Sequence, residues 1–129
     1  HAGFDPHDLS LAHLASIPDQ QLTYDAWKEI REVRADDEVM RYAAAIARAT
    51  RGAYQVILGG SPRASLALLR CGKALAALRG RDYVTPDDIK TLAPPILRHR
   101  LILSPESSIE GVTPDDVISA VLAQVPVPR

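Results

Sequence analysis

Long apolar runs and an excess of either charge are both missing from this 129-residue sequence. Its most apolar stretch, residues 66–78, is interrupted by Arg70 and Lys73, so we predict no membrane-spanning helix. Fifteen basic residues stand against sixteen acidic ones, and the net charge of -1 lacks the basic excess typical of proteins that bind nucleic acid. We therefore expect neither a membrane span nor a nucleic-acid partner.

Cysteine is represented by Cys71 alone, and aromatic residues make up only 5% of the chain. A single cysteine forms neither an internal disulfide nor a four-cysteine zinc site, so we predict a protein of a reducing compartment, the cytoplasm. The N-terminal residues also lack the basic and then apolar pattern of a signal peptide. Cys71 is interpreted as a small core residue, because no histidine stands at a helical neighbour position.

Motifs for nucleotide or metal chemistry are absent from the sequence as well. No glycine-rich phosphate loop ending in Gly-Lys-Ser or Gly-Lys-Thr occurs, and neither does His-Glu-x-x-His or Cys-x-x-Cys. His7, His13 and His99 are interpreted as surface or capping residues rather than metal ligands. We therefore predict no metal site in this sequence.

Alanine, leucine and arginine, by contrast, are abundant, and all three favour helices. From residue 22 onward apolar positions recur at intervals of three and four, which predicts an all-α fold. We expect a small bundle of about five helices with one minor β contact near residues 54–60. Residues 1–20 show no clear period and are interpreted as an arm or a loose first helix at 8–15. Residues 1–21 are therefore assigned to an N-terminal arm or boundary segment, and residues 22–129 to the helical domain.

Specific residues mark where the predicted helices begin and end. Thr23 is expected to cap a helix that runs to residue 33 and buries Ala26, Trp27, Ile30 and Val33. Asp36 is expected to cap a second helix, which runs to about residue 51. The second helix is predicted to bury the following residues: Val39, Ala43, Ile46 and Ala47.

The third helix is the most apolar of the chain. Ser61 is its predicted N-cap, Pro62 its first residue and Gly80 its end. Such a helix belongs at the centre of a bundle, because apolar residues lie nearly all round it. Its leucines are expected there: Leu66, Leu69, Leu75 and Leu78.

The string Thr-Pro-Asp-Asp occurs twice, at residues 85–88 and 113–116. Each threonine is a predicted N-cap, the proline suits the first helical position, and the two acids complement the positive end of the helix dipole. Both acidic pairs are therefore interpreted as caps rather than as catalytic carboxylates.

Two further expectations concern the neighbourhood of the first string. The helix that begins there is predicted to stop near residue 93, because Pro94 and Pro95 remove backbone donors, and a short segment at 96–101 follows. Upstream of it, the charged residues Arg79, Arg81 and Asp82 are interpreted as a solvated helix exit. The helix that begins at the second string is predicted to run to about residue 124.

Arg63 occupies a position that helix formation alone does not favour. It follows Gly59-Gly60-Ser61-Pro62 at the second helical position, where a cation meets the positive end of the dipole. A helix N-terminus behind two glycines offers free N–H groups, and a guanidinium adds a planar fork that matches phosphate oxygens. We predict an anion site at Arg63. The alternative is a solvated arginine whose aliphatic stem covers apolar surface.

This region also resembles a known family. The sequence is closely similar to the C-terminal lid of MoxR-type AAA+ ATPases over roughly residues 22–124, most clearly at 59–66 (GGSPRASL), 80–88 (GRDYVTPDD) and 97–101 (LRHRL). The resemblance implies that Arg63 is the sensor-2 arginine, which reaches the terminal phosphates of ATP and takes part in catalysis. It also implies nucleotide contacts from the surrounding residues: Gly60, Ser61, Pro62, Arg63 and Ala64.

Further properties follow from the same resemblance. It implies that ATP and Mg²⁺ are bound mainly by an α/β core domain that this sequence does not contain, so that the parent protein hydrolyses ATP and this fragment alone does not. It implies a lid that couples nucleotide state to neighbouring subunits of a ring. The family is chaperone-like and often acts beside proteins with a von Willebrand factor A domain.

Two functions from other classes stay open. A histone-fold-like DNA-associated domain would share the short helices and the Asp-Tyr-Val-Thr-Pro-Asp-Asp helix start, but its usual basic excess is missing. A stand-alone helical protein-interaction module would need an exposed apolar groove, which a sequence does not reveal. A phosphate-loop domain upstream in the full reading frame would decide in favour of the lid.

Overall fold

The computed structural model describes residues 19–128 of the chain. Within this range the all-α prediction with one minor β contact is confirmed, whereas the predicted arm helix at 8–15 and the surface roles of His7 and His13 lie outside the described residues. The boundary after residue 21 stays a prediction. The elements are α1 (Gln20–Glu32), α2 (Asp37–Gly52), β1 (Val56–Leu58), α3 (Pro62–Leu78), α4 (Pro86–Leu97), β2 (Ile102–Leu103), α5 (Pro105–Ile109) and α6 (Pro114–Gln124).

The core lies between four of these helices. α3 packs against both α2 and α4, and α6 packs against α2 and α4. The predicted apolar face of α2 is confirmed, with Ile46 fully buried. Each large aliphatic side chain taken out of water contributes about 1.5–3 kcal/mol before the loss of chain entropy is counted. The largest fully buried apolar side chains come from every one of the four: Ile46, Leu68, Ile89, Leu97, Val117 and Ile118.

The face of α3 that enters the core is not the predicted one. Leu66 and Leu78 are exposed, Leu69 and Leu75 are only partly buried, and Cys71 is exposed rather than in the core. The buried line recurs every four residues and consists mostly of small side chains: Ala64, Leu68, Gly72 and Ala76.

Small residues on α3 allow a close approach of helix to helix. A Cβ atom added at Gly72 would lie 3.1 Å from side-chain carbons of both Ile89 and Val84. The branched side chains of Ile89 in α4 and of Val84, two residues before α4 begins, therefore fill the space that a larger α3 residue would need. The prediction from leucine content was wrong because the closeness of the two helix axes, rather than side-chain size on α3, decides which face is buried.

α1 is more loosely attached than predicted. Its N-cap is Asp19, whose side chain accepts from the Gln21 N–H at 3.2 Å, rather than Thr23. The expected buried stripe is wrong within the helix, since α1 contributes no buried residue and Trp27 is 61% exposed. Only Val33, which follows the helix, belongs to the core.

α4 is longer than predicted, because Pro94 and Pro95 lie inside it. Proline removes a backbone donor, but its fixed φ is close to helical and here it falls in the last turn of the helix, where little remains to be disrupted. The Arg98 N–H still bonds to the Pro94 carbonyl. The chain then tightens into a 3-10 turn at Arg98–Arg100, which leaves His99 exposed as expected.

The β contact is an antiparallel pair in which Val56 faces Leu103 and Leu58 faces Ile102. It brings the segment before α3 beside the segment that follows α4. The short helix α5 begins after Ser104, whose hydroxyl accepts from the Ser107 N–H at 3.1 Å. No helix among the described residues has the length and apolar character needed to cross a lipid bilayer.

Candidate functional site

The predicted anion site lies where β1 passes into α3. Gly59 and Gly60 connect the strand to Ser61, and Pro62 is the first residue of the helix, as predicted. The first turn of α3 contains no acidic residue. The positive end of its dipole is therefore not offset by a local carboxylate, in contrast to α2, α4 and α6.

Both polar backbone groups of Gly60, its N–H and its carbonyl, are hydrogen-bonded to residues at the end of α2. Thr50 Oγ1 accepts the Gly60 N–H at 2.8 Å and donates its own hydrogen to the Ala47 carbonyl at 2.7 Å. Arg51 Nη1 donates to the Gly60 carbonyl at 2.6 Å. The sequence by itself indicated no role for Thr50 or Arg51, because neither residue lies in the glycine loop.

Glycine is required at position 59 for a packing reason. A Cβ atom there would lie 2.7 Å from the backbone nitrogen of Arg51 and 2.8 Å from its Cα atom. Backbone atoms of a helix cannot move aside as the end of a side chain can, so any larger residue would push the loop away from α2. The two glycines thus serve close contact with α2.

The five predicted nucleotide contacts differ in the donors that they leave available. The Gly60 N–H is bonded to Thr50, Pro62 has no N–H, and the buried Ala64 donates to the Ser61 carbonyl at 2.8 Å. Among residues 19–128, the N–H groups of Ser61 and Arg63 have no hydrogen-bond partner. The donors that can meet an anion are therefore these two N–H groups, the exposed Ser61 hydroxyl, which makes no cap bond, and the guanidinium of Arg63.

The Arg63 side chain is exposed and makes no hydrogen bond or ion pair with the part of the chain that the structure describes. Beside it, a groove of about 520 Å³ runs between α2 and α3. Three guanidinium-bearing residues of α2 line this groove together with Pro62 and Ser65, and one of them, Arg41, is paired with Asp37 at 3.6 Å. The three are Arg41, Arg48 and Arg51.

At the opposite end of α3 the structure differs from the predicted solvated helix exit. Arg79 and Arg81 do not form a solvated helix exit, because both donate to the carboxylate of Asp88, at 2.8 Å for Arg79 and at 2.9 and 2.7 Å for the two nitrogens of Arg81. Asp82 pairs with Arg34 at 3.0 Å. Gly80, with φ of 70°, turns the chain so that both arginines face the start of α4.

Asp88 is fully buried at the centre of this cluster. Burial by itself would raise the pKa of Asp88, but hydrogen bonds from Arg81 and Thr85 outweigh it and lower the pKa to about 2. The carboxylate thus stays charged and ties the end of α3 to α4. Within residues 19–128 no group of three His, Cys, Asp or Glu side chains is placed to hold a metal ion.

Comparison with known proteins bears directly on this arrangement. The family model described as AAA lid domain matches residues 48–121, from the second half of α2 into α6 and across the glycine loop. The chain belongs to the AAA lid domain family. The prediction of a MoxR-type AAA+ ATPase lid is confirmed, since proteins of the MoxR type are among its relatives.

Two relatives and one solved structure illustrate the similarity. The lid is 44% identical over 101 residues to the uncharacterized protein YeaC of Bacillus subtilis, covering 78% of this chain and 32% of that protein. It is 43% identical over 74 residues to the chaperone MoxR1 of Mycobacterium tuberculosis, covering 57% and 20%. The crystal structure of a putative ATPase from Cytophaga hutchinsonii has a TM-score of 0.75 at 33% identity, covering 79% and 34%. The lid thus spans about a third or less of these relatives.

Proposed function

We propose that this lid closes over ATP held by an AAA+ core domain of the same protein, and that Arg63 contacts the terminal phosphates. The observation that carries the proposal is the exposed guanidinium at a helix N-terminus whose dipole no local acid offsets. Such a cation is unfavourable where it stands unless an anion joins it. Membership of the AAA lid family supports a phosphate as that anion.

The residues of the site fit a phosphate group. The free N–H groups of Ser61 and Arg63 and the guanidinium of Arg63 are all donors, and phosphate oxygens are acceptors. Bound ATP and Mg²⁺ would supply the phosphoryl-transfer chemistry. During such a transfer a positioned arginine stabilises the charge that develops on the transferred group. The core domain would bind Mg²⁺, since the described residues offer no carboxylate cluster for it.

The exposed apolar face beside the site supports a contact with the core domain. Ile57, Leu58 and Ile102, all on the two-stranded sheet that leads into the glycine loop, are 66%, 56% and 54% exposed. Adjacent exposed side chains of this kind mark interaction surfaces more often than isolated ones do. We propose that this face meets the core domain when the lid closes.

The remaining parts of the proposal concern the whole protein. The parent chain would be an ATP hydrolase, and it would act as a chaperone, as the similar protein MoxR1 does. The lid would transmit nucleotide state to neighbouring subunits of a ring, and proteins with a von Willebrand factor A domain are proposed partners. The isolated lid would not hydrolyse ATP, because the phosphate loop and the metal ligands belong to the core.

The decisive experiment replaces Arg63 in the intact ATPase. We expect Arg63→Ala to lower kcat at least tenfold while the thermal melting temperature stays unchanged, because an exposed arginine contributes little to the bundle. Arg63→Lys should restore only part of the rate, since a point charge does not reproduce the planar fork. Arg70→Ala is the matched control, because Arg70 is also an exposed arginine of α3. A folded Arg63→Ala protein with normal kcat would contradict the proposal.

A further inference from the structure

The start of α3, like that of α2, has no side-chain hydrogen bond from its N-cap, in contrast to the starts of α4, α5 and α6. Thr85, Ser104 and Thr113 each accept a hydrogen bond from an N–H in the first turn of their own helix. Ser61, the N-cap of α3, makes no such bond. The turn that carries Arg63 therefore has no side-chain cap of its own, and its position depends on contacts from outside the helix.

Those contacts come from Thr50 and Arg51 at the end of α2. The Thr50 hydroxyl is fully buried, and because its hydrogen is committed to the Ala47 carbonyl, its lone pairs are left to accept from Gly60 N–H. The Arg51 bond to the Gly60 carbonyl is charge-assisted and short, at 2.6 Å. Both polar backbone groups of one residue, Gly60, which lies three positions before Arg63, are thus fixed to α2.

Resting on the proposed function, we infer that Thr50 and Arg51 are positioning residues that set where the Arg63 guanidinium meets the phosphates. A misplacement of about 1 Å at a reacting group can cost about 100-fold in rate. The close contact of Gly59 with the Arg51 backbone keeps the loop from shifting along α2. α2 and the Arg63 turn therefore move as one piece when the lid closes.

The test compares variants of the intact ATPase that loosen this contact in different ways. Thr50→Val removes the acceptor but keeps the shape, and Gly59→Ala forces the loop away from α2. We expect each to lower kcat about tenfold or more at saturating ATP, with a smaller change in KM, while Thr50→Ser keeps a rate near that of the unmodified protein. Gly52→Ala is the matched control, because a Cβ atom there meets nothing within 4 Å.

A second readout does not depend on activity. Hydrogen exchange at the Gly60 amide should become faster in Thr50→Val and stay slow in Thr50→Ser and Gly52→Ala, since only the first loses the acceptor. Folded Thr50→Val and Gly59→Ala proteins with normal kcat, beside an impaired Arg63→Ala, would overturn the positioning role alone. Normal kcat in folded Arg63→Ala would overturn the proposed function and this inference with it.

Discussion

The two Thr-Pro-Asp-Asp helix starts of the lid have the same local structure and different surroundings. In both, the aspartate accepts from the threonine N–H at 2.9 Å, and its own N–H donates back to the threonine hydroxyl. Yet Asp88 is fully buried and bound by two arginines, whereas Asp116 is exposed and, among residues 19–128, is bound by Thr113 alone.

The difference shows that a capping box fixes a helix start without fixing what the helix start is used for. The hydrogen bonds of the box lower the pKa of Asp116, and in Asp88 those from Arg81 act in addition and oppose the effect of burial. The segment that precedes the first box supplies Arg79 and Arg81 and crosses from α3 to α4, the two helices in closest contact. The second box follows α5, which carries no basic residue.

The largest expected effect comes from removing the charge of each of the two carboxylates, Asp88 and Asp116. Asp88→Asn should lower the free energy of unfolding by about 3 kcal/mol, because it removes the charge that holds two guanidiniums at a buried site. Asp116→Asn should change it far less, since that side chain is in water. Urea unfolding of the two variants measures the difference. Equal losses would mean that the box, rather than the arginine cluster, carries the stability.

The next effect is the dependence of stability on pH. The pKa of Asp88 is about 2 in the folded lid and 3.8 for an unperturbed aspartate, so the unfolded state binds a proton first as the pH falls. The resulting contribution of about 2 kcal/mol is present above pH 4 and is lost as the pH falls toward 2. Denaturation curves between about pH 7 and pH 2 should show this loss in the unmodified lid and a flatter profile in Asp88→Asn.

A smaller effect separates the two arginines of the cluster. Arg81 makes two bonds to Asp88 and its side chain is 24% exposed, whereas Arg79 makes one and is 48% exposed. Arg81→Met should therefore lower the melting temperature by about 5 °C or more, and Arg79→Met by less. Titration of Asp88 by NMR should show its pKa rising in both variants, more in Arg81→Met. The reverse order would contradict the assignment of Arg81 as the stronger partner.

The smallest expected effect concerns the threonine N-cap that the two capping boxes share. Thr85→Ala and Thr113→Ala should each cost about 1 kcal/mol, the usual value of a helix N-cap. The two values are expected to agree to within a few tenths of a kcal/mol, because the bonds lost are the same. Thermal unfolding of both proteins checks this. A much larger loss for Thr85→Ala would show that the cap and the arginine cluster are coupled.

Helix starts were predictable because their signals act over a few residues. Ser61-Pro62 and the two Thr-Pro-Asp-Asp strings lie where the structure begins helices. The buried face of α3 was not predictable in the same way. Its leucines suggested one face, but α3 buries Leu68, Gly72 and two alanines, and Gly72 lies against Ile89 of α4, because packing rewards the closest fit between helices rather than the most apolar residues.

The candidate site also has one feature that local sequence predicts and one that depends on tertiary packing. The sequence was enough to single out Arg63, since a cation at the second position of a helix behind two glycines is unfavourable by local rules alone. It did not reveal how that turn is held, because Thr50 lies 10 residues before its partner Gly60 and the bond exists only once α2 and α3 are packed.

The sequence by itself determined where α2, α3, α4 and α6 begin, that Thr85 and Thr113 are N-caps, and which arginine is the candidate for contact with an anion. These features depend on hydrogen bonds and dipoles within about one helical turn. Only the tertiary structure decided that Asp88 is buried between two arginines, that Gly60 is fixed to α2 and that Leu66 faces solvent. Each of these joins or exposes residues according to how whole helices pack, and packing minimises free energy over the entire chain rather than over any one segment.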